Sequence, residues 1–147
     1  MRTLRRFFMG AEGGQSLVEF ALTLPIVILV ITGTFDTARA VWQENTLAYA
    51  AREGTRYAIV HGSGYPDPAQ VAYPGNTAGI TAAVRDASVG IGGVIIVTST
   101  WPDNCYDRNC RVAVVATSQF VPLPSYYMLG STFQITLRGG SQLVIQR

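Results

Sequence analysis

The chain has 147 residues, 48% of them apolar and only 14% charged, with a formal net charge of +2. That length leaves room for one soluble domain at most once an N-terminal targeting segment is set aside, because a core takes on the order of 100 residues. All eleven basic residues are arginines, and a chain beginning at Gln15 would lose Arg2, Arg5, Arg6 and Glu12 and keep eight basic against eight acidic side chains. A neutral product has no basic stripe for phosphates, which argues against nucleic acid as a partner.

The first element is a leader, residues 1–14, with its arginines at the tip and Gly13-Gly14 at its end. A positive N-terminal patch before an apolar run is retained on the cytoplasmic side of a membrane. Ahead of it lie Gln15-Ser16-Leu17-Val18-Glu19-Phe20 and then an uncharged run, Phe20 to Phe35. A carboxylate at the mouth of a membrane segment costs free energy, about 2.5–3.5 kcal/mol at a helix centre and less near the interface. Glu19 therefore needs a compensating partner.

A long helix is predicted over 15–60, its apolar half at 17–35 inserted in the membrane. Pro25 removes a backbone donor within that half and predicts a kink or loosened turn, and Gly33 is a second weak point. Beyond Asp36 the composition changes: Arg39, Glu44, Arg52, Glu53 and Arg56 are interspersed with Val41, Trp42, Leu47, Tyr49, Tyr57 and Ile59, as in a helix with one packed and one wet face. At 1.5 Å per residue the helix spans about 70 Å, more than twice a bilayer's hydrocarbon core, so its far half packs elsewhere.

Residues 61–147 read as a C-terminal α+β body. Pro66, Pro68 and Pro74 make a loop of His61–Gly75. Asn76 or Thr77 caps a short helix over 78–88, and Gly90, Gly92 and Gly93 end it. Strands are predicted at Val94–Thr100, at Arg111–Phe120, and from Phe133 to Ile145 as a hairpin folded about Arg138-Gly139-Gly140-Ser141. The fold class is α+β: a long N-terminal membrane and assembly helix, then a small antiparallel sheet with a short helix.

Cys105 and Cys110 stand five positions apart, and the chain's one histidine, His61, cannot complete a four-ligand zinc site. In an exported domain the spacing favours a local disulfide over two free thiols. His61 has no nucleophile and orienting acid around it, so a surface or capping role outweighs that of a catalytic base. Asp103 and Asp107 are too few for a calcium loop and read as turn residues. Gly90-Ile91-Gly92-Gly93 precedes a strand and lacks a following Lys-Ser or Lys-Thr, unlike a phosphate cradle. No catalytic residue, metal or cofactor is expected. Trp101-Pro102 and Tyr126-Tyr127-Met128-Leu129 stand open between a contact surface and core plugging.

An ordinary signal peptide competes for the N-terminus, since Ala38-Arg39-Ala40 supplies a small-x-small cleavage pattern, and an uncleaved anchor is a further alternative. The signal-peptide reading leaves Gly13-Gly14 and Glu19 without a purpose. Gly14, four residues, then Glu19-Phe20 resembles the processing motif of type IV prepilins, especially those of the tight-adherence (Tad) branch. Ala50-Ala51-Arg52-Glu53-Gly54-Thr55-Arg56-Tyr57-Ala58 resembles the stretch that ends the long helix in TadE-like minor pilins.

The resemblance implies cleavage by a membrane prepilin peptidase between Gly14 and Gln15, on the cytoplasmic side. It implies that Glu19, at mature position five, pairs with the N-terminal amine of a neighbouring subunit, with Phe20 beside it in the filament core. Other pilin subunits, the membrane and the Tad assembly machinery are the implied partners, and an extracellular filament or cell surface the destination. Main pilins of this branch are much shorter, so a minor pilin is the closer likeness. The chain also lacks the Asp-x-Ser-x-Ser metal motif of the larger TadG-like relatives.

Overall fold

A computed structural model describes residues 12–123, 126 and 132–146. The leader arginines and Tyr127-Met128-Leu129 lie outside the described residues. Helix α1 runs from Glu12 to Val60, about 74 Å at 1.5 Å per residue. A 3₁₀ turn at Pro68–Gln70 and helix α2, Ala78–Ala87, follow. The strands are β1, Ile95–Thr100, β2, Arg111–Phe120, and β3, Ile135–Val144, in one antiparallel sheet of order β1-β2-β3. The architecture is α+β, as expected.

The long helix has two halves with opposite solvation. From Asp36 onward its buried positions are Asp36, Gln43, Leu47, Ala50, Ala51, Gly54, Thr55 and Ala58, spaced by three, four and seven as one helical face requires. That face meets Ile80 and Val84 of α2 and Val112, Val114 and Ala116 of β2 in a single core. From Leu17 to Phe35, by contrast, twelve large apolar side chains are exposed. Each would release about 1.5–3 kcal/mol on burial, on the order of 20 kcal/mol together, so this half requires lipid or neighbouring chains. The helix runs on through Pro25, whose missing N–H leaves the Ala21 carbonyl without its usual donor.

Small residues set how closely the layers approach. A methyl at Gly54 would overlap the Val84 side chain, and one at Gly79 would overlap the Tyr57 ring, so each helix makes room with a glycine for a side chain of the other. Thr77 is the N-cap of α2, but its side chain makes no capping hydrogen bond. Asn76 instead donates to the Ala69 and Val71 carbonyls, at 2.9 and 3.0 Å, closing the proline loop.

The predicted hairpin about Gly139-Gly140 does not form. β3 passes straight through both glycines, pairing Gly139 with Ala116 and Gly140 with Val115. The reason is packing: a methyl at Gly139 would meet the Leu47 carbonyl oxygen at 2.6 Å and overlap the Leu47 carbonyl carbon and Ala48 nitrogen. Glycine lets the sheet rest directly on α1.

The Cys105 and Cys110 sulfurs lie 1.99 Å apart, at disulfide distance. Asn104, just before the disulfide loop, and Asn109, within it, take positive φ, a conformation asparagine tolerates better than most residues. Asn109 N–H donates to the Ile145 carbonyl at 2.9 Å and Ile145 N–H to the Cys110 carbonyl at 2.8 Å, so the loop holds the end of the chain. Asp103 accepts from the Arg111 backbone N–H and from its guanidinium. Those hydrogen bonds lower its carboxyl pKa to about 2.

Candidate functional site

Gly14, Gln15, Val18, Glu19 and Leu22 line one shallow face at the start of α1. The i, i+3 and i+4 spacing puts them on one side. Glu19 and Phe20 are both exposed, and no basic side chain among the described residues pairs with Glu19. The Gly14–Gln15 bond lies inside a helix, yet a methyl on Gly14 would touch nothing within 4 Å. Glycine has the lowest helix propensity after proline, so Gly13-Gly14 make this first turn of α1 an intrinsically weak one.

At the other end of the apolar half stands Asp36, a residue that sequence reasoning used only as the boundary where composition changes. It is buried, and its two oxygens are both engaged: Oδ1 accepts from the Arg39 guanidinium at 2.8 Å and Oδ2 from the Leu123 backbone N–H at 2.8 Å. Arg39 in turn stacks over the Phe120 ring, 5.3 Å from its centroid. One carboxylate thus ties the chain after β2 to the helix where the uncharged run ends. The signal for it was the first acid after that run, followed three residues on by an arginine.

Asp36→Ala leaves the Leu123 N–H and the Arg39 guanidinium without their acceptor. Arg39 is partly exposed, so the ion pair itself contributes little and most of the loss comes from the orphaned backbone donor. The expected cost is about 2 kcal/mol. Urea unfolding followed by fluorescence of buried Trp101 measures it, and an unchanged midpoint would exclude the clamp.

The nine-residue stretch from Ala50 to Ala58 has a structural explanation. Ala50, Ala51, Gly54, Thr55 and Ala58 are its buried face, with Thr55 Oγ1 donating to the Ala51 carbonyl at 2.6 Å, while Arg52 and Arg56 point to solvent. It is the seam where helix, α2 and sheet meet. His61 follows as a cap: its Nδ1 lies 2.9 Å from the Tyr57 carbonyl, and its ring stacks 3.8 Å from that of Tyr57 and lies tilted 4.1 Å from that of Tyr65. Burial pushes the Tyr57 phenol up from its ordinary pKa. Trp101 is a core residue, and no cluster of three or more His, Cys, Asp or Glu side chains occurs among the described residues.

Only one comparison with known proteins yields a match. Residues 14–56, less than a third of the chain, match the family model described as TadE-like protein. No curated protein and no solved structure matches the chain. The matched stretch opens at Gly14 and closes at Arg56, within the seam just described, so it holds the exposed apolar half, the Asp36 junction and most of the packed face.

Proposed function

As a TadE-like protein over residues 14–56, the chain is, we propose, a structural minor pilin of a Tad-type pilus. It enters the membrane as a single-pass precursor, is cut by a prepilin peptidase between Gly14 and Gln15, and joins a filament of other pilin subunits through α1. The filament serves adhesion or surface attachment. Leader 1–14, helix 15–60 and body 61–147 then have separate tasks: targeting, assembly and display. The role is structural, not catalytic.

The observation that carries this reading is the contrast within one TadE-like helix, uncovered over Leu17–Phe35 and packed from Asp36 onward. A helix built to be covered by others suits both a bilayer before assembly and a filament core after it. The alternative, a secreted or tethered binding module with an ordinary signal peptide, fits less well. A cut after Ala40 would discard Asp36 and Arg39, hence the hydrogen bond to Leu123 and the contact with Phe120.

Intact mass of the protein from native filaments tests the proposal. A chain beginning at Gln15 is the expected result. Loss of residues 1–40 would make it a conventional secreted domain, and full-length chain in the filament would overturn processing.

A further inference from the structure

The lower end of the body, the end nearest the apolar half of α1, carries an unusual set of exposed side chains. Val94, just before β1, is 79% exposed and Val89, just after α2, is 75% exposed; Leu123, Phe133 and Trp42 are exposed as well. Their neighbours fix them at one level. Leu123 is bonded to Asp36, and a methyl on Gly90, next to Val89, would lie 2.7 Å from the Trp42 ring. Ile95 pairs with Ser118 and Ile135 with Phe120, whose ring lies under Arg39. The strand ends bearing Val94 and Phe133 therefore flank the helix where its uncharged run stops.

We propose that this rim is a collar that rests in the headgroup layer of the lipid bilayer while the precursor awaits assembly. The inference rests on the membrane-inserted reading of α1. Continuity with the apolar half identifies the occupant. Leu17–Phe35 spans about 28 Å at 1.5 Å per residue, close to a hydrocarbon core of about 30 Å, which puts Asp36 at its boundary. Trp42 lies about 9 Å further along, and helical side chains lean toward the N-terminus, so its indole reaches back toward the interface.

The chemistry of the rim matches that depth. Tryptophan is enriched at the headgroup level, and the Arg39 guanidinium is held by Asp36 and the Phe120 ring at the same level. Asp36 is buried and already engaged by Arg39 and Leu123. Of the nearest other carboxylates, Glu44 is further along α1 and Asp86 lies beside Tyr49 and Glu53. Gly92 and Gly93 are exposed beside Val94 and add no charge to this rim. With the collar seated, the body, already packed on the far half of α1, is held at a fixed height against the membrane.

The test is fluorescence quenching by brominated lipids, on the full chain in liposomes, in a Trp42→Phe background. A single tryptophan is added in turn at Ile28 in the apolar half, at Val94 on the rim, or at Thr98, four residues higher on the outer face of β1. Buried Trp101 supplies a constant background. Lipids brominated near the headgroup are expected to quench the Val94→Trp variant about twofold or more and to leave Thr98→Trp unchanged, as an interfacial depth requires. An unquenched Val94→Trp beside an Ile28→Trp strongly quenched by lipids brominated deep in the acyl chain would overturn the collar and leave the anchor standing. Were Ile28→Trp also unquenched, the membrane-inserted reading itself would fall and the collar with it.

Discussion

Replacing Gly139 by alanine is expected to unfold the body, whereas the same change at its neighbour Gly140 is expected to be neutral or slightly stabilising. The two glycines share a strand, a register and a sequence context, yet their surroundings differ. At Gly139 a single methyl would overlap backbone atoms of Leu47 and Ala48 and come within 2.6 Å of the Leu47 carbonyl oxygen. Backbone inside a packed helix cannot shift as a side chain can, so the cost should exceed the roughly 1–3 kcal/mol typical of overpacking. At Gly140 the nearest atoms are Val115 Cγ2 at 3.7 Å and the Val114 carbonyl oxygen at 3.9 Å, ordinary contact. There alanine removes the entropy penalty of a strand glycine, roughly 0.5–1 kcal/mol. Denaturant unfolding of both variants, read by Trp101 fluorescence, decides the matter. Equal destabilisation at both sites would contradict the packing argument.

That pair also shows where sequence reading reaches its limit. Apolar runs either side of Gly139-Gly140 have the local pattern of a hairpin, and turn chemistry is a short-range signal. What overrides it is a contact between residues more than ninety positions apart, Gly139 against Leu47 and Ala48, which no local pattern records. Elements set by local periodicity were legible: the long helix, the short helix after Thr77, and the strands at Ile95–Thr100 and Arg111–Phe120. The change of character at Asp36 was visible too, but its cause, a backbone donor supplied by Leu123 from eighty-seven positions away, was not.

The stretch Ala50–Ala58 illustrates how motif and packing meet. As sequence it carries a resemblance, and the TadE-like match ends inside it. As structure it needs small side chains at Ala50, Ala51, Gly54 and Ala58 because α2 and the sheet both close on that face. A motif of this kind carries architecture more than chemistry. The residues proposed to bear on assembly lie at the other end of the helix, where Glu19 and Phe20 are exposed.

Glu19→Ala is therefore expected to abolish filaments while leaving the cut after Gly14 intact. The proposed filament places the Glu19 carboxylate against the amine of a neighbouring Gln15, inside a sheath of apolar helices. In the monomer Glu19 is exposed, and no basic side chain among the described residues pairs with it, so its carboxylate is free to meet a second subunit. Removing one partner of a buried ion pair costs about 3–5 kcal/mol, because the other charge is left uncompensated. At 1.4 kcal/mol per tenfold, each subunit contact would weaken by about 10² to 4 × 10³, enough to stop growth of a polymer in which every subunit makes that contact. Glu19→Gln should fail similarly, since it keeps shape and removes charge. Sheared filaments quantified by electron microscopy report assembly, and intact mass of the membrane fraction reports cleavage. Normal filament yield from Glu19→Ala would refute the pairing, while loss of both cleavage and filaments would place Glu19 in peptidase recognition instead.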